Sequence, residues 1–284
     1  GNKTKEVLLK IRGCLGENSQ DTKKLPILNL ISNKEILSFL ERPDIIALSK
    51  AGVATPDHVI RTKAHPLFLS HEELKSGCKT LENKIALFEK NYIQYFKKYS
   101  QNSYEPKKML SAKPKLIWAQ GIGIIGVGNN LKEAKTITDI ASQNISVMSN
   151  GQDIGGFSPI KSQDIFDMEY WSLEQAKLNK KITPEFQGKV VVITGGAGII
   201  GKSIAEAFFK KGAEIVLVDK NKQALEQICK AFESKIKFIN VDLTKKLAAE
   251  KIVQETIKFF GGVDILISNA GIAPEGSMKD ITEK

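Results

Sequence analysis

The second half of this 284-residue sequence predicts an α/β fold built on a parallel sheet. From residue 189 onward, short apolar runs rich in valine and isoleucine alternate with amphipathic stretches of helical length. Glycine or polar turn residues bound these runs, which is typical of buried strands. Strands that alternate with helices in this way form right-handed crossovers, so neighbouring strands lie parallel.

Four strands and three helices are expected in this regular region. The sequence predicts strands at 189–194, 214–219, 236–240 and 263–268, and helices at 199–211, 222–233 and 244–260. The strand at 263–268 is left with an unpaired edge, and an exposed edge invites association with another chain.

The first 180 residues predict an α/β region of less regular order. Val7, Leu8, Ile11 and Leu15 repeat at helical spacing, and residues 27–31 predict a strand. The remaining patterns predict an amphipathic helix over 72–99, two strands within 115–127, and helices over 131–147 and 163–178.

A polar segment over residues 179–188 separates the two regions, because Pro184 interrupts the helical pattern there. With 42% apolar residues, the chain is long enough to bury two cores. We therefore expect one domain over residues 1–183 and a second over residues 188–284.

The composition bears on partners and on the cellular compartment. The formal net charge is +10, yet only three of the 42 basic residues are arginines, and the lysines are interleaved with acidic residues. Lysine lacks the planar guanidinium group with which arginine binds phosphates and guanines. No apolar run reaches the roughly 18 residues that a membrane helix needs. We expect neither nucleic acid nor a membrane as partner. Cys14, Cys78 and Cys229 are odd in number and far apart, which favours reduced thiols and a cytoplasmic protein.

A glycine-rich segment follows the first strand of the regular region. Residues 194–201 read Thr-Gly-Gly-Ala-Gly-Ile-Ile-Gly, so that Gly196, Gly198 and Gly201 form G-x-G-x-x-G between a strand and a helix. The first glycine permits the turn, the second lets backbone approach a pyrophosphate, and the third lets the helix pack on the strand. The helix N-terminus then faces the phosphates. This pattern predicts the first half of a Rossmann domain.

The acidic residue that accompanies this motif is Asp219, at the end of the next strand and eighteen residues after Gly201. A carboxylate there accepts hydrogen bonds from the adenosine ribose and repels a ribose phosphate. We therefore expect NAD in preference to NADP, and the neighbouring Lys220 keeps that preference moderate.

The same residues satisfy a second pattern. Residues 196–201 followed by Lys202 and Ser203 spell G-x-x-x-x-G-K-S, the phosphate loop of nucleotide triphosphatases. In that interpretation Lys202 reaches the β- and γ-phosphates, Ser203 holds magnesium, and Asp219 resembles an acid that organises the metal. In the dinucleotide interpretation Lys202 is an exposed lysine in the first helical turn.

Short motifs after the strands resemble the short-chain dehydrogenase/reductase family. Residues 194–196 read Thr-Gly-Gly, residues 240–243 read Asn-Val-Asp-Leu, and residues 268–271 read Ser-Asn-Ala-Gly. The resemblance covers about 95 residues and implies that Asp242 lies beside the adenine while the Asn-Ala-Gly turn lines the cofactor cleft. A triphosphatase does not require these motifs, so the dinucleotide interpretation is favoured. The cofactor-binding residues implied in this way are Thr194, Gly195, Gly196, Gly198, Ile200, Gly201, Asp219, Asp242, Leu243, Asn269, Ala270 and Gly271.

The sequence departs from many members of that family at Ile199, where they have glycine. The resulting spacing, T-G-x-x-G-x-x-G, is similar to the extended branch that includes sugar-nucleotide epimerases. Family members use a serine and a Tyr-x-x-x-Lys pair, whose tyrosine is the general acid or base. Those residues are expected beyond Lys284, so no catalytic residue is assigned here and the chain is expected to be inactive as a dehydrogenase.

Three segments before the glycine loop resemble a second family. They are residues 54–63 (Ala-Thr-Pro-Asp-His-Val-Ile-Arg-Thr-Lys), the Gly121 to Gly126 turn followed by residues 131–134, and residues 166–178. In this order they resemble the bifunctional rhamnulose-1-phosphate aldolase/short-chain dehydrogenases, in which a class II aldolase-like domain precedes the dehydrogenase. The resemblance implies cleavage of rhamnulose 1-phosphate to dihydroxyacetone phosphate and lactaldehyde, and nicotinamide-dependent oxidation of the aldehyde.

The aldolase chemistry of that family requires a divalent metal such as zinc, held by histidines. No His-x-His occurs, and the histidines are His58, His65 and His71, so the paired ligands are expected upstream of Gly1. Class II aldolases commonly place another ligand in an Asn-His-Gly turn, and here Gln120 stands in the matching Ala-Gln-Gly.

His58 is the one candidate metal ligand that the chain itself offers. Asp57 would orient its ring, and Arg61 with Lys63 would bind a phosphate. The alternative is a loop histidine among surface charges, since lone histidines are rarely ligands. Both interpretations stay open at this point.

Three functions follow from these observations. The first is a fragment of a bifunctional sugar-catabolic enzyme that takes a sugar phosphate or aldehyde and is a homo-oligomer when complete. The second is a non-catalytic module for nucleotide binding or assembly, because of the open strand edge. The third is a nucleotide triphosphate binder built on Lys202 and Ser203.

Overall fold

The computed structural model describes residues 2–19, 22–101, 103, 105–173 and 183–271. Within these residues two four-stranded sheets lie among helices, and a short antiparallel ribbon adds two more strands. No helix in the described part of the chain is long and apolar enough to cross a membrane.

The first region contains a mixed sheet with the long helices packed around it. Its elements are α1 (Asn2–Cys14), β1 (Glu17–Ser19), β2 (Thr22–Lys24), β3 (Ile27–Ile31), α2 (Lys34–Leu40), α3 (Ile45–Ala51), a 3-10 turn (Pro56–His58), α4 (Val59–Thr62), β4 (Leu67–Leu69), α5 (His71–Lys75), α6 (Cys78–Ser100), β5 (Leu116–Ala119), β6 (Gly123–Gly128), α7 (Leu131–Asp153) and α8 (Ser162–Glu169). The strand order is β3-β6-β5-β4, in which only β4 and β5 are parallel.

The second region is a parallel sheet joined by crossover helices. Its elements are β7 (Val190–Thr194), α9 (Ile199–Lys210), β8 (Glu214–Asp219), α10 (Lys222–Ala231), β9 (Lys237–Asn240), α11 (Ala248–Phe260) and β10 (Ile265–Ile267). The order is β10-β7-β8-β9, with all three pairings parallel. The valine- and isoleucine-rich strands are buried because helices cover both faces of such a sheet. The predicted α/β fold class with a parallel sheet is confirmed.

Two helices differ from their predicted bounds for local reasons. The amphipathic stretch at 72–99 is two helices, because Ser76 and Gly77 are extended between α5 and α6. The helix predicted from residue 244 begins at Ala248, since the Asp242 carboxylate holds Thr244 in a turn and Leu247 is left-handed at φ 68°. Of the helix predicted at 163–178, α8 is described and residues 174–178 lie outside the described residues.

The two regions share apolar core rather than meeting at a thin contact. Ile27 of β3 and Leu131 of α7 belong to the same buried cluster as strand residues of β7, β8 and β9. The predicted division at residues 183–188 stays a prediction. Because the described residues on its two sides bury apolar surface together, hydrophobic burial opposes their separation.

A buried ion pair reinforces this contact. Arg12 of α1 is 3% exposed and binds both carboxylate oxygens of Asp264, with Nη1–Oδ1 3.2 Å and Nη2–Oδ2 2.7 Å. Its guanidinium also donates to the carbonyls of Pro26 and Gly188. Asp264 in turn accepts the Val190 N–H at 2.7 Å. Helix α1 of the first region thus contacts the end of the parallel sheet at which β7 and β10 begin.

Candidate dinucleotide site

The glycine segment lies where the strand order of the parallel sheet reverses. β7 pairs with β8 on one side and with β10 on the other. The chain runs from β7 to β8 and β9, and then returns through α11 to β10 on the other side of β7. Ligands of open parallel sheets bind at such a switch point, outside the carboxyl ends of the strands. The segments after β7 and after β10 both lie there.

Hydrogen bonds made by Thr194 and Asn269 join these two segments. The Thr194 hydroxyl accepts the N–H groups of Asn269 (3.0 Å) and Ala270 (3.1 Å) and donates to Ile267 O. The Asn269 side-chain amide donates to Thr194 O (3.0 Å) and Gly195 O (3.3 Å). The Asn-Ala-Gly turn therefore fixes the start of the glycine loop through side-chain bonds that span 75 residues of sequence.

The glycines are required by contacts and by backbone conformation. Gly195 is left-handed with φ 64°, which favours glycine. A Cβ at Gly196 would lie 2.9 Å from Leu217 Cβ, and one at Gly201 would lie 2.4 Å from Gly195 O. A Cβ at Gly198 would meet only Gly195 O, at 3.4 Å. Gly196 and Gly201 thus serve internal packing, whereas Gly198 borders open space on its other sides.

The N-terminus of α9 presents backbone donors beside Gly198. Gly198 is the N-cap, and the bond from Lys202 N–H to Gly198 O (2.9 Å) closes the first helical turn. The N–H groups of Ile199, Ile200 and Gly201 precede that bond and have no intrahelical acceptor. Donors of this kind, with the positive end of the helix dipole, bind anions such as a pyrophosphate.

Asp219 is fixed against the glycine loop at the end of β8. Its Oδ2 accepts the Ala197 N–H at 3.1 Å, and its Oδ1 accepts the Asn221 N–H at 3.0 Å. Asn240 was part of a predicted motif without a role of its own. Its side-chain amide donates to Asp219 O (3.0 Å) and Lys220 O (2.9 Å), so it holds the turn that carries the carboxylate.

Asp242 and Leu243 lie in the turn after β9. Hydrogen bonds from the Thr244 N–H and hydroxyl hold the pKa of the Asp242 carboxyl below its usual value, so the group is anionic at neutral pH. Leu243 and Ile200 are 41% and 68% exposed, which leaves both apolar side chains available to a ligand.

The described residues fit a dinucleotide. Backbone donors at a helix N-terminus suit the pyrophosphate, a fixed carboxylate suits a ribose, and Gly198 leaves room for close approach. A bound nicotinamide supplies hydride chemistry, and the protein contributes binding and orientation. Ten of the twelve residues predicted for the cofactor lie in the turns that follow β7, β8, β9 and β10 or at the ends of these strands, and Ile200 and Gly201 lie in the first turn of α9.

The geometry gives less support to a triphosphate loop. Lys202 Nζ lies 3.8 Å from Glu206 Oε1 one helical turn further on, where the side chain runs along the exposed face of α9. The Ser203 hydroxyl donates to Ile199 O at 3.0 Å, within the same helix. A triphosphate site requires both side chains to lie over the glycine loop, and neither does so here.

The metal predicted for the aldolase-like region has little support among the described residues. His58 Nδ1 lies 3.0 Å from the Thr55 hydroxyl. No group of three histidine, cysteine or acidic side chains in the described ranges lies close enough together to hold a metal ion. The described residues do not fit a zinc site, and the assignment of His58 to a metal stays a prediction.

Lys63 is placed differently from its predicted role as a phosphate ligand. It is 4% exposed, and its ammonium donates to Ser111 O at 2.6 Å while lying 3.3 Å from the centre of the Tyr92 ring. The prediction was wrong because Lys63 lies in a buried stretch, where its neighbours Thr62 and Ala64 are 1% and 7% exposed. At φ 64° and ψ 170° the backbone of Lys63 leaves helix α4 and directs the side chain inward.

Comparison with known proteins agrees with this architecture. The fold and site are those of a dinucleotide-binding α/β domain joined to a second α/β domain. Residues 2–178 match the family model described as "Aldolase class II, second domain", and residues 189–284 match "short chain dehydrogenase". The chain belongs to the class II aldolase family and carries a short-chain dehydrogenase domain fused to it.

Similar proteins are oxidoreductases. The uncharacterized oxidoreductase YuxG of Bacillus subtilis is 26% identical over 295 residues, covering 100% of this chain and 42% of that protein. An uncharacterized oxidoreductase of Thermotoga maritima is 42% identical over 103 residues, covering 35% of this chain and 40% of the relative. A 3-ketoacyl-(acyl-carrier-protein) reductase structure from Brucella melitensis, complexed with NADH, is 32% identical over 34% of this chain and 40% of that one, with TM-score 0.32. The chain spans about two fifths of the length of these curated relatives.

Proposed function

We propose that this chain is part of a bifunctional sugar-catabolic enzyme whose dehydrogenase half uses NAD. The two family matches support the bifunctional architecture. The observation that carries the NAD assignment is the joining of three turns at the switch point, with Asp219 bonded to the glycine loop at Ala197 and Asn269 bonded to Thr194 and Gly195.

The proposed substrates follow from the segments that resemble the bifunctional family. Aldol cleavage of rhamnulose 1-phosphate yields dihydroxyacetone phosphate and an aldehyde, and the dehydrogenase half oxidises the aldehyde or alcohol product by hydride transfer to NAD. A divalent metal such as zinc serves the aldol step in the complete enzyme. The complete enzyme is proposed to be a cytoplasmic homo-oligomer.

A fluorescence titration with NADH tests the cofactor assignment. The chain is titrated with NADH, and the bound NADH is then competed with NAD, NADP or Mg-ATP. We expect displacement by NAD at lower concentration than by NADP, because the fixed Asp219 carboxylate repels a ribose phosphate. Displacement by Mg-ATP alone would contradict the proposal.

The variant Lys202→Ala separates the two interpretations of the loop. Since Lys202 pairs with Glu206 on the outside of α9, its loss is expected to change NADH affinity less than twofold. Loss of all nucleotide binding in Lys202→Ala would favour a triphosphate site instead.

A second candidate function, assembly through the sheet edge, has one observation in its favour. β10 is the edge strand of the parallel sheet among the described residues, and Leu266 in it is 63% exposed. An open strand edge can pair with another chain. Size-exclusion chromatography with light scattering tests this idea, and a monomer at all accessible concentrations would count against it.

A further inference from the structure

The histidines of the aldolase-like region have separate surroundings. The His71 Nε2 lies 2.8 Å and 3.0 Å from the two carboxylate oxygens of Glu41. His58 is paired with the Thr55 hydroxyl. Burial lowers the pKa of His65, which favours a neutral ring. Each ring therefore has its own environment, and within the described ranges no third ligand joins any of them.

Gln120 lies at the turn where the resemblance led us to expect a metal-ligating histidine, and both ends of its amide are already bound. Nε2 donates to Leu40 O at 3.0 Å, and Oε1 accepts the His71 N–H at 3.3 Å. The His71 ring packs on the neighbouring glycine so closely that a Cβ at Gly121 would lie 2.6 Å from it. Both polar ends of Gln120 are therefore occupied by partners within the chain.

Lys63 lies in a buried polar cluster of this region. The Lys63 ammonium lies against the Tyr92 ring, and the Tyr92 hydroxyl donates to Glu169 Oε1 at 2.7 Å. Glu169 is 0% exposed, and its carboxylate raises the pKa of Lys63, whereas burial disfavours the charged form of both groups. The Tyr170 hydroxyl lies 2.7 Å from that of Tyr92 and accepts the Leu110 N–H.

This cluster joins four distant parts of the sequence. Lys63 follows α4, Tyr92 lies in α6, and Glu169 ends α8, while Ser111 belongs to the segment that leads into β5. Two of the segments that resemble the bifunctional family, residues 54–63 and 166–178, meet here through Lys63 and Glu169. A buried charge persists when it is paired and hydrogen-bonded, and such a cluster fixes the relative positions of its members.

The same region is bound to the dehydrogenase half at several points. Arg12 binds Asp264 in the buried ion pair, and the Leu131 N–H at the start of α7 donates to Glu214 Oε1 at 2.7 Å. Ile27 and Leu131 lie in the core cluster of the parallel sheet. The aldolase-like region therefore contributes to the folded state of the dinucleotide-binding half.

From these contacts we infer that the described residues between 2 and 173 form a metal-free support for the dinucleotide-binding half, organised around the buried Lys63 cluster instead of a divalent ion. The metal-dependent aldol step of the proposed enzyme then does not use the described residues of that range. This inference does not depend on the cofactor assignment, since its tests use neither NAD nor turnover.

Metal content tests the first part of the inference. The untagged chain is expressed in zinc-supplemented medium, passed through gel filtration and measured by inductively coupled plasma mass spectrometry. We expect well below one zinc per chain and no change of Tm on addition of EDTA. One tightly held zinc per chain, or a lower Tm in EDTA, would overturn the inference. The variants His58→Ala and His71→Ala would then identify the ligand.

Scanning calorimetry tests the support role with a matched pair of lysine variants. Lys84 is the control, because its Nζ forms a partly exposed ion pair with Glu73 at 2.8 Å. We expect one unfolding transition, lowered by about 6 °C in Lys63→Met and by less than about 2 °C in Lys84→Met. An unchanged midpoint temperature of unfolding in Lys63→Met contradicts the support role. So does a second unfolding transition at lower temperature if the midpoint of the main transition stays the same. Lys63→Arg, which keeps the charge, provides the comparison if Lys63→Met does not fold.

Discussion

Gly198 and Gly201 belong to one loop but have different roles, because an added methyl group would meet different atoms. At Gly201 it would lie 2.4 Å from the Gly195 carbonyl oxygen, and at Gly198 the nearest atom is 3.4 Å away. The first contact forces backbone to move, whereas the second is ordinary van der Waals contact. A methyl group at Gly198 therefore fits without displacing a described residue.

Alanine substitution at these two positions separates folding from binding. We expect Gly201→Ala to lower the free energy of unfolding by about 2 kcal/mol, since overpacking has costs of this size. Gly198→Ala is expected to change stability by less than about 1 kcal/mol and to weaken NADH binding at least about tenfold. Denaturant unfolding and NADH titration measure the two effects. Full NADH affinity in a folded Gly198→Ala would show that the loop does not contact the cofactor.

The Lys63 ammonium predicts a pH dependence of stability. Burial lowers its pKa in the folded chain to about 7, against the ordinary 10.5, while the charge of Glu169 raises it and that of Lys115 lowers it further. A depressed folded pKa means that the unfolded state binds more protons between these values, so stability rises with pH in that window. Relative to Lys63→Met, the unsubstituted chain should gain stability from about pH 7 to about pH 9 in urea unfolding. Parallel pH profiles for the two proteins would contradict this assignment.

The sequence predicts the place of a residue in the fold well where that place depends on its neighbours in the chain. The glycine loop could be located because a strand, three glycines and a helix start follow one another within residues 190–201. Lys63 could not be interpreted in the same way. Its partners, Ser111 and Glu169, are far along the chain, and no periodic pattern connects them.

At the scale of elements, a buried ion pair joins α1 to the residue that precedes β10. The side chains of Arg12 and Asp264 are 4% and 9% exposed, so each would leave a buried charge if its partner were removed. Arg42 forms a comparable pair with Asp44 but is 23% exposed. The two arginines form a natural comparison of buried and exposed ion pairs.

We expect Arg12→Met to lower the free energy of unfolding by about 3–5 kcal/mol, because it leaves the buried Asp264 carboxylate without its ion-pair partner. Arg42→Met should lower it by less than about 1 kcal/mol. Denaturant unfolding of Arg12→Met, Asp264→Asn and the double variant gives the coupling between the two residues. If the double variant is destabilised by the sum of the single effects, the ion pair does not join the two regions.

The bounds of elements could be predicted where a local signal starts or ends them. Strand β3 at Ile27–Ile31 has the predicted bounds, because Pro26 precedes and Ser32 follows a run that is apolar except for Asn29. The break between α5 and α6 was missed, since the apolar stripe continues through Ser76 and Gly77. Gly77, the N-cap of α6, was the available signal for this break.

At the scale of the whole molecule, the sequence predicted two successive cores, and the structure shows that they are partly shared. Periodicity reports that Ile27 and Leu131 are buried but not which residues bury them. Both pack with strands of the dehydrogenase half. The family matches divide the chain near the predicted position, yet the packing makes the two halves interdependent.

The central claim is that the turns at the carboxyl ends of β7 to β10 bind a dinucleotide. Hydrogen-exchange mass spectrometry of the chain, with and without saturating NADH, tests it most directly. We expect slower exchange in peptides that contain residues 194–201, 219–221, 241–243 and 269–271, and the same exchange elsewhere. Slower exchange confined to other parts of the chain, or protection of residues 196–203 by Mg-ATP and not by NADH, would contradict the claim.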